Sequence, residues 1–290
     1  MHPVLARRAL VAYNGYNTGL GNRLRVVLSC QSLAELENRE FSYVWPTGKL
    51  FGPTFSELFD FRGRVVSRST SRLLAKVYPY LNADLDWLAD PKVQSRRIWQ
   101  IRSGSEVKLP EGAVPWPEKL RALHPNPRIT TRVQQAFQER FADAGFIGVS
   151  VRVHTVSHQV TKDVSPVEWF LEELSQIRAA APNTPIFISC DVPEVQKRIE
   201  DSIEGSWGFK DKGDYNSKAG IESAICDLYL LASSGYLLGP YFSSFVHLAQ
   251  HLAGGLVKMK TSQSPATYEQ PDLQRLSRVI DPLKPALRKS

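Results

Sequence analysis

Between residues 146 and 259, short apolar runs alternate with segments of helical period, and this alternation constrains the fold more than any other feature of the chain. Residues 146–153 form an apolar run of strand length. Pro166 then opens a helix reaching residue 180, since proline is tolerated in the first helical turn. Residues 185–190 read as a strand, 194–203 and 219–232 as helices, 236–238 as a strand, 244–252 as a helix and 256–259 as a last strand. Strands linked through helices run parallel, in a sheet covered on both faces.

The opening follows the same logic. Residues 8–13 form a short apolar strand that breaks into Asn14-Gly-Tyr-Asn-Thr-Gly-Leu-Gly21. Leu24, Val27, Leu28, Leu33 and Leu36 then recur at mostly three- and four-residue steps, which predicts a helix over 22–39. Residues 41–45 give a second strand, closed by Pro46. The stretch 51–127 is irregular, with a strand at 98–101 and proline-rich connections, and reads as the remainder of the first domain. A helix over 129–142 leads into the second half.

A chain of 290 residues accommodates two α/β cores of ordinary size. The expected architecture is therefore α/β, with two Rossmann-like domains facing each other across a cleft. The first spans 1–143 and the second 144–265. Residues 266–290 are expected to hold one amphipathic helix and a tail returning across the first domain.

Apolar residues at 42% and charged residues at 22% mark a folded globular chain. The net charge of +7 is scattered, and no nucleic-acid-binding module is recognisable, so a nucleic-acid partner is not expected. The sign of the charge suits an anionic substrate and an anionic membrane surface equally well. Cys30, Cys190 and Cys226 lie in apolar stretches without CxxC spacing, which points to buried free thiols rather than disulfides or a zinc site. Asn14 and Gly15 interrupt the opening apolar run, and no stretch approaches the roughly 20 apolar residues of a membrane span. The expected compartment is a reducing cytoplasm, with at most peripheral contact at the inner membrane.

In open α/β sheets ligands sit beyond the carboxyl ends of the strands. Four segments fall there. Gly19-Leu-Gly-Asn-Arg-Leu24 joins a strand to a helix and lets backbone approach a ligand at a positive helix end. It lacks the third glycine and the acid of a dinucleotide fingerprint, and it carries no P-loop GKS/T; a tight structural turn is the alternative. Gly148-Val-Ser-Val-Arg-Val-His-Thr155 puts Arg152 at a strand end, placed for two-point phosphate binding or for a structural salt bridge. His154 and His158 flank the same loop, as loop polarity. Ile186-Phe-Ile-Ser-Cys-Asp191 ends a strand on an acid that can cap a helix or accept from a base or ribose. Leu237 to Phe245 offers Ser243 and Ser244 at a helix start, as an anion site or an ordinary N-cap. No metal site is expected, because the histidines and acids do not fall into ligand spacing.

Taken in order, these segments resemble the motifs of the superfamily that contains the nodulation fucosyltransferases, the α-1,6-fucosyltransferases and the protein O-fucosyltransferases. Gly19-Leu-Gly-Asn-Arg-Leu24 resembles its glycine-asparagine loop, Gly148-Val-Ser-Val-Arg152 its H-x-R strand, and Phe187-Ile-Ser-Cys-Asp191 its strand ending in Asp. Ile225-Cys-Asp-Leu-Tyr-Leu-Leu231 through Phe245 resembles its helix, strand and serine turn. The resemblance implies a GT-B fold and an inverting transfer of fucose from GDP-fucose to a glycan or glycoconjugate, without metal or other cofactor. It implies that Arg152 holds the diphosphate, Asp191 the guanine or ribose, and Ser243, Ser244 and Phe245 the rest of the donor. Gly19, Gly21, Asn22 and Arg23 would face the transferred sugar, with Asn22 and Arg152 serving catalysis. Ser150 replaces the family histidine, and Val153 and Thr155 replace the arginine and acid that often follow. Another nucleotide sugar, or a non-catalytic nucleotide or glycan binder, is therefore the alternative.

Overall fold

A computed structural model describes residues 8–15, 18–154 and 159–289. The chain divides into two compact units, 1–124 and 125–290. The first contains β1 (Ala9–Asn14), α1 (Leu20–Leu36), β2 (Glu40–Val44), α2 (Phe55–Leu58) and β3 (Arg64–Val65). It continues with α3 (Arg68–Leu74), β4 (Tyr80–Leu81), α4 (Pro91–Gln94), β5 (Ile98–Ser103) and α5 (Trp116–Arg121). Its strands make one parallel five-stranded sheet in the order β3-β2-β1-β5-β4. The stretch expected to be irregular thus supplies three of the five strands. Two of them are only two residues long, too short for a period to register.

The second unit opens with α6 (Pro127–Arg140), β6 (Ile147–Val151), α7 (Gln159–Val164), α8 (Val167–Ala180), β7 (Ile186–Cys190) and α9 (Pro193–Ser202). Then come β8 (Ser206–Trp207), α10 (Lys218–Ser233), β9 (Tyr236–Leu238), α11 (Ser244–Leu252), β10 (Lys258–Lys260), β11 (Arg278–Val279) and β12 (Arg288–Lys289). The order β10-β9-β6-β7-β8 is again all parallel. Counted within the unit, this is the 3-2-1-4-5 order of a doubly wound nucleotide-binding half. The division at residue 124 lies ahead of the expected 143, because α6 packs on α10 and belongs to the second core.

Alternation along β6 assigns its faces. Ile147, Val149 and Val151 join Phe170, Leu174 and Ile177 of α8 in a buried cluster. Gly148 and Ser150 point the other way, towards α10. A side chain at Gly148 would meet Ser234 Oγ at 2.8 Å and Leu237 at 3.0 Å, so its absence lets the helix layer close on the sheet. Cys30, Cys190 and Cys226 are buried and unpaired, and burial pushes the thiols of Cys190 and Cys226 up to about 11 and about 12.

The tail corrects another expectation: among the described residues, no helix forms beyond Pro271. β11 and β12 make a short antiparallel pair instead. The tail lies on the second unit, where Leu276 and Ser277 pass so close to Gly145 and Gly235 that a side chain there would overlap them. Arg288 completes the attachment, donating to the carbonyls of Ser234, at 2.7 Å, and Ala232. These are terminal α10 carbonyls with no helical partner, at the negative end of the helix. Burial pushes the Arg288 guanidinium down to about 10. Arg288→Ala should lower unfolding stability by about 1.5–3 kcal/mol, the usual value of a charged donor to buried carbonyls. A urea unfolding curve checks it.

Candidate functional site

In a 3-2-1-4-5 sheet the first and fourth strands run off to opposite sides, leaving a crevice at their carboxyl ends. Here those strands are β6 and β9. Arg152 follows β6 directly, and Ser243, Ser244 and Phe245 start the helix after β9. Sheet topology thus brings together two of the segments singled out in the sequence.

Asp191, at the end of β7, organises the crevice. Its side chain is only 4% exposed. Oδ1 accepts the backbone N–H of Val153 at 2.8 Å and of His154 at 3.2 Å, while Oδ2 lies 3.4 Å from Arg152 Nε. A buried carboxylate is stable only with such donors. The carboxylate therefore braces the chain leaving β6.

The Arg152 guanidinium has a different environment. The side chain is 27% exposed, and its charged carbon sits 5.4 Å from the centre of the Phe245 ring. Phe245 is nearly buried, so its contribution is to hold that cation from an apolar side. Ser243 takes the N-cap position of α11 without a side-chain capping bond, and Ser244 is exposed beside it. Through Phe245 the guanidinium lies beside the first turn of α11, an arrangement that favours an anion.

Beneath them lies a buried polar group. Asp227 of α10 accepts from Ser189 Oγ at 2.7 Å and from Lys212 Nζ at 2.9 Å, and Lys212 also donates to the Cys190 carbonyl at 3.1 Å. Ser150, next to Ser189 across the strands, is fully buried with no partner for its hydroxyl. Lys212 was not among the residues expected from sequence, because the loop carrying it follows a two-residue strand and reads as an ordinary charged connection. His154 stacks on Tyr215 of that same loop. His158 and Thr155 lie outside the described residues.

In the first unit, Gly19 is the N-cap of α1, and Gly21 and Asn22 occupy its first turn. Asn14 ends β1 fully buried, with no partner for either atom of its amide. Asn22 is half-buried at the carboxyl edge of the sheet. Arg23 is a correction: it is fully buried and turned inward. Its Nε donates to the Thr18 carbonyl at 2.8 Å and its Nη1 to the Pro46 carbonyl at 2.7 Å, with the guanidinium 4.0 Å above Phe51. This arginine locks the loop to the end of β2 instead of facing a sugar.

The sequence also holds one acidic pair of Asp-x-Asp spacing, Asp84-Leu85-Asp86, against the expectation that no metal-spaced acids occur. It lies on a turn after β4, where Asp84 is paired with Lys108 at 2.6 Å. Among the described residues, no three His, Cys, Asp or Glu side chains come together as a metal site, and no helix is long and apolar enough to cross a membrane.

No family model and no curated protein matches the sequence. Solved structures do match. The fucosyltransferase NodZ from Bradyrhizobium superposes with a TM-score of 0.58, at 16% identity, over 84% of this chain and 93% of that one. The NodZ α-1,6-fucosyltransferase soaked with GDP-fucose gives 0.53 at 19% identity, over 85% and 92%. POFUT1 in complex with GDP gives 0.53 at 12% identity, over 88% and 98%. The chain has the fold of the fucosyltransferases. Within that fold it carries Arg152 just after β6 and Ser243 and Ser244 at the start of α11, and it buries Ser150.

Two adjacent residues separate folding from function in the first unit. Arg23→Ala would strand the buried Pro46 carbonyl and the part-buried Thr18 carbonyl and should cost roughly 3 kcal/mol. Asn22→Ala should leave the melting temperature within about 1 °C of the parent, as a half-buried side chain outside the core. Thermal unfolding of the two variants side by side reads the difference.

Proposed function

We propose that the chain is an inverting, metal-independent glycosyltransferase that transfers fucose from GDP-fucose to a glycan or glycoconjugate. The observation that carries this reading is the Arg152 guanidinium, partly exposed at the switch point of the second sheet beside the N-terminus of α11. The solved structures of the same fold include one soaked with GDP-fucose and one in complex with GDP, which supports the choice of donor.

The chemistry follows from where charge develops. As the bond between the anomeric carbon and the diphosphate breaks, negative charge grows on the departing GDP. Donors fixed in advance stabilise that charge without reorganising. Arg152 offers two parallel N–H groups to phosphate oxygens, and the first-turn amides of α11 add partial positive charge. The Phe245 ring keeps water from one side of the guanidinium and strengthens its field. An acceptor hydroxyl then attacks from the face opposite the diphosphate, inverting the anomeric centre. In this reading the first-unit residues Gly21 and Asn22 serve the sugar, in a two-domain arrangement of GT-B type.

The unpartnered Ser150 hydroxyl, where the family carries histidine, favours a second reading: nucleotide held without turnover, or a different nucleotide sugar. Incubation with GDP-fucose releases GDP only in the first reading, and incubation with other nucleotide sugars separates a different donor from binding without turnover.

Arg152→Ala should reduce kcat/KM by at least two orders of magnitude, about 3 kcal/mol of transition-state stabilisation. Arg152→Lys should recover part of it, keeping charge but losing the planar fork. Both variants should melt near the parent, because Asp191 retains its two amide donors. A destabilised protein with normal turnover in its folded fraction would instead make Arg152 a structural ion pair. Since arginine and amides supply the positive charge, and Lys108 already engages Asp84, activity should survive EDTA. Loss of activity with EDTA and its return with magnesium or manganese would refute metal independence.

A further inference from the structure

The loop between β8 and α10 ends in a construction that the donor reading leaves without a task. Gly213 sits at φ +71°, where a side chain would meet the Ala219 Cβ at 2.7 Å. Asn216, three residues on, lies at φ +61°, a left-handed conformation that asparagine tolerates better than other side chains. Ser217 then caps α10, its Oγ accepting the amide of Gly220 at 3.0 Å. Lys212 ties the start of the loop to Asp227 and to the Cys190 carbonyl.

These restraints present one side chain. The ring of Tyr215 lies parallel to the imidazole of His154, with centroids 4.2 Å apart and planes within 9°. His154 is in turn braced through its backbone amide on Asp191. Tyr215 nevertheless remains 40% exposed. A rigid aromatic ring, backed by a second ring and open to solvent at the carboxyl edge of a nucleotide-type sheet, offers a stacking surface. The loop runs back from β8 past the end of β7, where Lys212 donates to the Cys190 carbonyl, and brings Tyr215 against His154, two residues beyond Arg152, while Arg152 itself reaches Phe245 at the start of α11. An anion-binding end and an aromatic end on one sheet edge match the two ends of a nucleoside diphosphate.

We propose that Tyr215, stacked on His154, is the platform on which the donor's nucleobase lies. The loop after β8 then sets the preference for a nucleoside diphosphate over a bare diphosphate. This rests on the reading of Arg152 and α11 as the diphosphate end. The stack contributes through the π-face of the base, so the phenol hydroxyl is dispensable and the ring is not.

Calorimetric titration of the full chain with GDP, UDP and inorganic pyrophosphate tests it. Tyr215→Ala should weaken GDP binding about ten- to hundred-fold, the usual range for losing one base–aromatic stack, and leave pyrophosphate binding unchanged. Tyr215→Phe should bind GDP like the parent. Unchanged GDP affinity in Tyr215→Ala overturns the platform, as does an equal loss for GDP and pyrophosphate, which would make the ring a support for the loop. A parent protein that prefers UDP, with the same loss in Tyr215→Ala, upholds the platform and removes guanine from the donor. A parent that binds none of the three refutes the diphosphate site and the platform together.

Discussion

The carboxylate of Asp191 is the interaction on which the second unit's polar edge depends. Beyond Val151 the chain has left the sheet, and nothing in the ladder dictates its course. Two amide hydrogens and the Arg152 side chain converge on this one buried group. A carboxylate so enclosed would be costly without the two amide donors, so the chain must pass where it can supply them. Two consequences follow from that single anchor. Arg152 is directed towards Phe245 and the serine turn, and His154 is directed the other way, onto Tyr215.

The parallel sheets explain why such different segments converge. Every strand in each sheet points the same way, so each βα loop emerges at the same edge. Where strand order reverses, the loops diverge and leave a crevice. In the second unit the reversal falls between β6 and β9, and the arginine and the serine turn flank it. In the first it falls between β1 and β5, and Asn14 ends β1 there with an unsatisfied amide. Identities of 12–19% to fucosyltransferases of the same fold are compatible with this arrangement, since backbone direction rather than particular core side chains creates the crevices.

Buried cations mark the difference between holding and acting. Arg23, Arg39 and Arg288 each spend their guanidinium on backbone carbonyls: Arg23 at the end of β2, Arg39 against Trp99 at the edge of the first core, Arg288 at the end of α10. Among the described residues, Arg152 meets one carboxylate edge and an aromatic face, and it keeps part of its surface in solvent. The chemistry of the side chain is the same in all four. Local geometry alone separates a structural arginine from one available to a substrate.

Much of this was legible in the sequence. The apolar period showed the strand–helix alternation, and with it parallel sheets and a polar edge where Arg152, Asp191 and Ser243 had to lie. Those properties are local, because period and turn chemistry act over a few residues. The two-residue strands β3, β4 and β8 were invisible for the same reason: a strand so short has no period, and only its neighbour's ladder makes it one. The tail deceived differently, since Leu276 and Ser277 pack against Gly145 and Gly235 without needing a helix. The inward turn of Arg23, the commitment of Asp191 to backbone amides, the pairing of Lys212 with Asp227 and the stack of Tyr215 on His154 were decided only by the tertiary structure. Each joins groups from separate elements, and whether a charged side chain is spent inside the protein or left for a ligand depends on partners that sequence order does not place beside it.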